Sequence, residues 1–224
     1  MKQAFTLAEV LITLGIIGVV AAMTLPALIQ SYANTVVETR LAKFYSTINQ
    51  AIAKAEVNYG DRRYWFEETA GIGGVDNPDS ARLDWFKKYL LPYMNGVTYK
   101  MKNTAPIFYM SDGSAFASIN GGEVNRDWLF WTSDPLTKCT RWNVTNGYDD
   151  IGVCAFAFYY SPNDVNGYNK TPGVEPWKVN WTGKVDDLYT NCKNTSLTYN
   201  RQCAAIIQLN GWKIPKDYPF KVHY

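Results

Sequence analysis

The sequence predicts an α+β fold in which a long N-terminal helix packs on the small antiparallel β-sheet of a head with long loops and disulfides. Three patterns predict it: an uncharged apolar run over residues 10–29, an amphipathic helical pattern up to about residue 58, and short β patterns separated by turn residues. The 224 residues are 47% hydrophobic and 19% charged, which suits one folded domain with a substantial extension.

Composition argues against several classes of function. The formal net charge is +2 without a basic run, so no specific nucleic-acid partner is predicted. The single histidine, His223, leaves His-dependent catalytic triads and His-rich metal sites without their usual participant. We therefore expect no enzymatic activity; a membrane-anchored enzyme is a competing hypothesis for which no catalytic constellation is visible.

The apolar run from Val10 to Ile29 is long enough to cross a bilayer, since twenty helical residues rise about 30 Å. A cleaved secretory signal is the alternative, with Val20, Ala21 and Ala22 as a loose cleavage site. Glu9 counts against it, because an ionised carboxylate beside the apolar run has no use in a disposable segment. The helical pattern also continues past the run.

The second half of the predicted helix is amphipathic. Polar residues such as Glu38, Arg40 and Lys43 lie mostly between its apolar positions. The apolar positions recur at three- and four-residue steps: Val37, Leu41, Phe44, Ile48, Ile52 and Ala55. We expect one helix from about Phe5 to Asn58 whose first half spans the membrane and whose second half is the spine of the head.

Residues 4–12, with the sequence AFTLAEVLI, and the uncharged helix after them resemble the N-termini of type IV prepilins and type II secretion pseudopilins. The resemblance implies cleavage by a prepilin peptidase between Ala4 and Phe5, followed by N-methylation of Phe5. It also implies that Glu9 pairs with the terminal amine of a neighbouring subunit. Ala4 departs from the family, which more often has glycine before the cut.

The same resemblance assigns assembly roles within the apolar helix. Pro26 matches a helix-kinking proline, and Gly15, Gly18 and Ala22 fall where small residues are expected. Gly18 and Ala22 form a small-xxx-small pair that lets another helix approach, although such residues are also ordinary in lipid-facing helices. The implied division is a leader at 1–4, a membrane and filament-core half-helix at 5–29, an amphipathic half-helix at 30–58 and an α+β head at 59–224.

The head shows several local signals. A helix is predicted between Pro78 and Pro92, a strand over 152–160, loops over 161–191 and a short apolar element over 204–209.

The clearest β signal is a hairpin around Asp112-Gly113, which is interpreted as a two-residue turn. That turn places Tyr109 opposite Phe116 and Phe108 opposite Ala117. The face expected to pack on the long helix then carries Phe108, Met110, Ala115, Ala117 and Ile119.

Four cysteines lie beyond the membrane segment and predict disulfides in an exported head. Of the three connectivities we prefer the sequential one, Cys139 with Cys154 and Cys192 with Cys203. The resemblance makes the second pair the counterpart of a C-terminal disulfide loop in pilins. Zinc is the competing interpretation, disfavoured because no C-x-x-C pair or nearby histidine exists.

No metal site or cofactor is predicted, although calcium is a candidate at loop carboxylates. These are Asp149, Asp150, Asp164, Asp186 and Asp187, which lack the spacing of an EF-hand loop. Large rings are a second candidate surface, since loop aromatics stack on sugars or apolar partners; we favour them as core residues. They are Trp128, Phe130, Trp131, Trp142, Trp177, Trp181 and Trp212.

Together these features predict a structural subunit of a type IV pilus or a type II secretion pseudopilus. Its expected partners are copies of itself or related pilins, the prepilin peptidase, the assembly platform in the inner membrane, and the lipid bilayer before assembly. The expected location is the bacterial cytoplasmic membrane, with one span and the head outside the cytoplasm, and the filament after assembly. The alternative is an anchored or minor-pilin binding module, adhesin-like or lectin-like, that uses aromatic loops.

Overall fold

A computed structural model describes residues 6–65, 78–102, 105–119, 126–139, 150–162, 171–194 and 201–224. Its helices are α1 (Leu7–Tyr59), α2 (Pro78–Tyr89), α3 (Val185–Lys193) and α4 (Cys203–Leu209). Its strands are β1 (Thr98–Lys102), β2 (Ala105–Tyr109), β3 (Ala115–Ser118), β4 (Arg126–Trp131), β5 (Ala155–Tyr160) and β6 (Glu175–Pro176). Short 3-10 turns occupy Arg62–Tyr64 and Leu91–Tyr93. The predicted α+β architecture, with its long apolar N-terminal helix and antiparallel sheet, is confirmed.

Helix α1 is a single helix of 53 residues. It begins after the N-cap Thr6 and ends before Gly60, whose φ of 73° suits a residue without a Cβ. All six apolar residues predicted for its buried face are fully buried: Val37, Leu41, Phe44, Ile48, Ile52 and Ala55. The helical period in the sequence therefore identified the spine of the head correctly.

The sheet is an antiparallel meander in which the six strands are neighbours in chain order, from β1 to β6. One cross-strand row places Phe108, Phe116, Phe130 and Phe156 side by side across β2 to β5. Phe44 of α1 contacts this face, with ring centroids 5.3 Å from Phe116 and 4.6 Å from Phe130. The main core thus lies between α1 and an aromatic sheet face.

The hairpin register differs by one residue from the prediction. Phe108 pairs with Phe116 and Tyr109 with Ala115, because the loop has three residues, 111–113, rather than two. Met110 N–H donates to the Ser114 carbonyl at 2.9 Å, and the third loop residue, Gly113, has a φ of 82°. A type I turn followed by a left-handed glycine has this geometry.

That one-residue shift corrects the predicted helix-facing surface, because a slip of one residue moves side chains to the other face of a sheet. Phe108 and Met110 do join the core under α1. Ala115, Ala117 and Ile119 instead lie on the opposite face, in or against a second cluster with Leu129 and Trp131.

Two disulfides stabilise the head, one in the second cluster and one in the main core, and they have the sequential pairing favoured from the sequence. Cys139–Cys154 belongs to the second cluster, and Cys192–Cys203 joins α3 to α4. The prediction of loops throughout 161–191 was wrong in part, because this range contains β6 and most of α3. The apolar element predicted over 204–209 is α4.

We expect Phe44→Ala to lower the free energy of unfolding by about 3–5 kcal/mol, because it removes a ring from the centre of the core. Urea titration of the full chain in mild detergent, followed by tryptophan fluorescence, measures this. Val57→Ala is the matched control on the same helix, since Val57 is 85% exposed and its loss leaves stability nearly unchanged. Equal effects of the two variants would contradict the packing described here.

Candidate functional site

The first half of α1 carries an apolar surface that nothing in the described chain covers. From Leu7 to Ile29 every residue is exposed except the half-buried Ala21. This stretch is about 34 Å long, slightly more than the hydrocarbon thickness of a bilayer. Within the described residues it belongs to the one helix long and apolar enough to cross a membrane.

The polar side chains in this half are satisfied by their own helix. The hydroxyls of Thr13 and Thr24 each donate to a carbonyl of the preceding turn, Val10 O and Val20 O, at 3.0 Å. Such back-bonding lets threonine lie in an apolar environment without an unpaired donor. The segment is therefore chemically suited to lipid or to a packed bundle of helices.

Glu9 forms a capping box with Thr6 at the start of α1. Its Oε2 accepts hydrogen bonds from Thr6 N–H at 2.9 Å and from the Thr6 hydroxyl at 2.8 Å. The Glu9 N–H donates to Thr6 Oγ1 at 3.3 Å. Glu9 therefore has a local role in starting the helix, which was not predicted above although Thr6 and Glu9 have the spacing of a capping box. Ala4 and Phe5 lie outside the described residues.

The small residues predicted for helix packing have no partner in the described part of the chain. A Cβ atom at Gly15 or Gly18 would have no neighbour within 4 Å, and Ala22 is exposed. Gly15, Gly18 and Ala22 share one face, being spaced by three and four residues. Helix α1 continues through Pro26, and a bend there stays a prediction.

Beyond the exposed half, the β2–β3 hairpin binds α1 at Arg40 and Lys43. Arg40 Nη2 donates to the Asp112 carbonyl at 2.6 Å and its Nη1 donates to the Thr132 carbonyl. Lys43 Nζ pairs with the Asp112 carboxylate at 2.9 Å. Burial favours a raised pKa for Asp112, but hydrogen bonds from Ser114 and Lys43 outweigh it and hold this pKa below its ordinary value.

The C-terminal residues 212–224, here called the C-terminal strap, run along α1 on another side. Glu38 accepts from Lys213 Nζ at 2.8 Å and from Ile214 N–H at 2.9 Å. Gln30 donates to the Val222 carbonyl at 3.1 Å. Glu38 and Arg40, which the amphipathic pattern assigned to the polar face, thus bind the head instead.

The other predicted site residues lie in the head. Among the described residues, Cys139, Asp150 and Cys154 lie close enough together to be metal ligands. The two sulfurs form a disulfide, however, so they are not the thiolates that bind a metal. Asp186 and Asp187 occupy the first turn of α3, where carboxylates favour the helix dipole. Asp149 and Asp164 lie outside the described residues, so calcium there stays untested.

The core interpretation of the large rings holds for most of those described. Trp128, Phe130, Trp131 and Trp177 are buried. Trp181 and Trp212 are half-buried and pack against the main core, while Trp142 lies outside the described residues. A groove of about 560 Å³ runs beside Trp181, with Tyr159, Lys178 and Asn180 among its lining residues.

Comparison with known families shows the family of the chain. A family described as a family of unknown function, DUF6613, matches residues 27–222, and the chain belongs to it. The match covers the head and the buried half of α1 and leaves out nearly all of the exposed apolar half. No curated protein and no solved structure matches the chain.

We expect Asp112→Asn to lower stability at pH 7 by about 0.5–1 kcal/mol, because the pairing with Lys43 is partly exposed. A depressed carboxyl pKa stabilises the fold above the unfolded-state value near 3.9, and this contribution is lost as the pH falls through the folded-state pKa. Urea titrations at several pH values should therefore show the variant converging with the parent chain in acid. Lys43→Met should show the same convergence; an effect independent of pH would contradict the assignment.

Proposed function

We propose that this member of DUF6613 is a structural subunit of a bacterial filament, a type IV pilus or a type II secretion pseudopilus, assembled through α1. The observation that carries the proposal is the exposed apolar half of α1, continuous with the buried spine of a disulfide-bonded head. The N-terminal sequence from Ala4 to Ile12 supports it through its resemblance to prepilins.

Assembly in this proposal is a transfer between two apolar environments. The exposed half of α1 lies in the cytoplasmic membrane before assembly and in a bundle of neighbouring α1 helices afterwards. Both environments bury the same surface, so its transfer by an assembly platform need not expose it to water. Repetition of one head-to-tail contact then gives an open filament of copies or related pilins.

The capping box at Glu9 is compatible with a role in assembly. Both hydrogen bonds from Thr6 go to Oε2, and within the described residues Oε1 accepts none. The terminal ammonium that prepilin peptidase would create at Phe5 of a neighbouring subunit is a suitable cation for that oxygen. Such a pairing would offset the cost of a carboxylate in apolar surroundings and set the register between subunits.

A second candidate, a binding module presented on the same anchor, is favoured by one feature, the groove beside Trp181. A half-buried indole next to polar side chains is a common surface for stacking on sugars. The burial of most other large rings removes the wider aromatic surface that this function would use. Glycan binding by the full chain in detergent distinguishes it from a purely structural subunit.

Processing is the first test of the filament proposal. In membranes from cells that co-express a prepilin peptidase, we expect mass spectrometry to find a mature chain that begins at an N-methylated Phe5. Without the peptidase the chain should begin at Met1. A mature chain beginning near Met23 would indicate an ordinary secreted protein, and an intact Met1 under both conditions would indicate a simple membrane anchor.

A substitution at Glu9 separates its two roles. Glu9→Gln keeps an oxygen for the Thr6 cap but removes the charge, and charged hydrogen bonds contribute about 1.5–3 kcal/mol. We therefore expect incorporation into sheared filaments to fall about tenfold or more, with normal membrane levels and processing.

Thr6→Ala is the matched control, since it removes the capping hydroxyl and keeps the carboxylate. It should assemble nearly as well as the parent chain. The opposite result, assembly of Glu9→Gln and failure of Thr6→Ala, would mean that Glu9 acts only as a helix cap.

A further inference from the structure

The point where α1 leaves its apolar half carries an open crevice. Its volume is about 680 Å³, and it is lined by Leu28, Ile29, Tyr32, Ala33, His223 and Tyr224. The lining combines the end of the apolar run with the last residues of the C-terminal strap. The crevice therefore opens at the level where the proposed membrane span ends.

Two exposed tyrosines mark this level. Tyr32, 61% exposed, lies three residues beyond Ile29, which places it about 4.5 Å further along the helix axis. Its ring meets that of Tyr224 edge to face at 6.0 Å, and the guanidinium of Arg40 lies 5.2 Å from the Tyr224 ring centroid. Tyrosine rings are enriched at the headgroup level of membranes, because they have an apolar body and a polar tip.

The strap residues at the crevice are held through their backbone. Val222 O accepts from Gln30, His223 O accepts from the Thr132 hydroxyl at 3.0 Å, and His223 N–H donates to Val153 O at 3.3 Å. The side chains of Lys221 and His223 are exposed and take no part in these backbone contacts, while the exposed Tyr224 ring packs on Tyr32 and Arg40. Lys221 and His223 are therefore open to a partner outside the chain.

The charges at this level fit an anionic partner. Lys221 is exposed two residues before the lining residue His223, and the Arg40 guanidinium lies 5.2 Å from the ring of the lining residue Tyr224. The carboxylates of Glu38 and Asp112 are paired with Lys213 and Lys43. An exposed cation at the surface of a bilayer attracts anionic headgroups in its own leaflet over about a Debye length. The combination of an apolar crevice, tyrosines and cations matches the interfacial layer of a bilayer.

We propose that this junction is a docking surface for anionic phospholipid, whose glycerol and upper acyl region fills the crevice and whose phosphate lies near Lys221 and Arg40. Docking would fix the depth of α1 and hold the head against the membrane before assembly. The inference rests on the membrane-anchored stage of the proposed function.

The test uses the full chain in vesicles of phosphatidylglycerol and phosphatidylcholine that contain photoactivatable lipids. One probe lipid carries its diazirine in the acyl chain and the other carries it in the headgroup, and mass spectrometry locates the adducts. We expect acyl-probe adducts along residues 10–28 and headgroup-probe adducts at residues 28–33 and 221–224. Vesicles of phosphatidylcholine alone should give fewer adducts at 221–224.

Tyr224→Ser should lower the headgroup adducts at residues 28–33 about threefold, because it removes one wall of the interfacial crevice. Near-UV circular dichroism checks that the variant stays folded. Tyr64→Ser is the matched control: Tyr64 is also an exposed tyrosine with an arginine over its ring, Arg63 at 5.9 Å, but it lies beyond the other end of α1. It should leave the labelling unchanged.

Two results would overturn the inference while the membrane anchor stands. One is acyl labelling of residues 10–28 with no adduct at 221–224. The other is cross-linking of residues 28–33 of one isotopically labelled copy to 221–224 of another, which would make a second subunit the occupant. No labelling of residues 10–28 would instead contradict the membrane stage of the proposed function itself.

Discussion

The burial of one face of α1 against the aromatic face of the sheet is the interaction on which the rest of the structure depends. Phe44 is central to it, being stacked on Phe130 and edge to face with Phe158. Because the same helix continues without interruption to Leu7, this packing also fixes the direction in which the apolar half leaves the head. A shift in the core would therefore change the geometry of anchoring as well as the stability of the head.

Polar contacts add to this apolar packing in setting the position of the helix along the sheet. Arg40 and Lys43 bind the hairpin, Glu38 binds the C-terminal strap, and Asn49 exchanges hydrogen bonds with the backbone of Val174 at 2.9 and 3.0 Å. These contacts begin with Gln30, one residue after the apolar run ends. Among the described residues, the polar contacts of the head with α1 therefore reach the boundary of the proposed membrane span and do not pass it.

The sequence predicted those parts of the fold that follow from the spacing of residues within a single helix or between nearby cysteines. The apolar spacing from Val37 to Ala55 identified the buried face of α1, and the sequential pairing preferred for the disulfides was also correct. Features that depend on distant parts of the chain were not predictable in this way. Glu38 looks like a solvent-facing residue until the strap is known, and the register at Phe108 depends on whether the turn has two or three residues.

Helix α3 was missed for a related physical reason. It has no side-chain cap and only nine residues, a length at which helices are marginal in water. Its stability comes from the buried Leu188 and from the Cys192–Cys203 bond to α4, both of which are tertiary features. Within the described part of the chain, the exposed half of α1 has neither kind of support and is held by its own hydrogen bonds and the cap at Thr6. In water such an apolar surface would drive association, so its order as an extended helix is consistent with a chain that keeps it in lipid or among other helices.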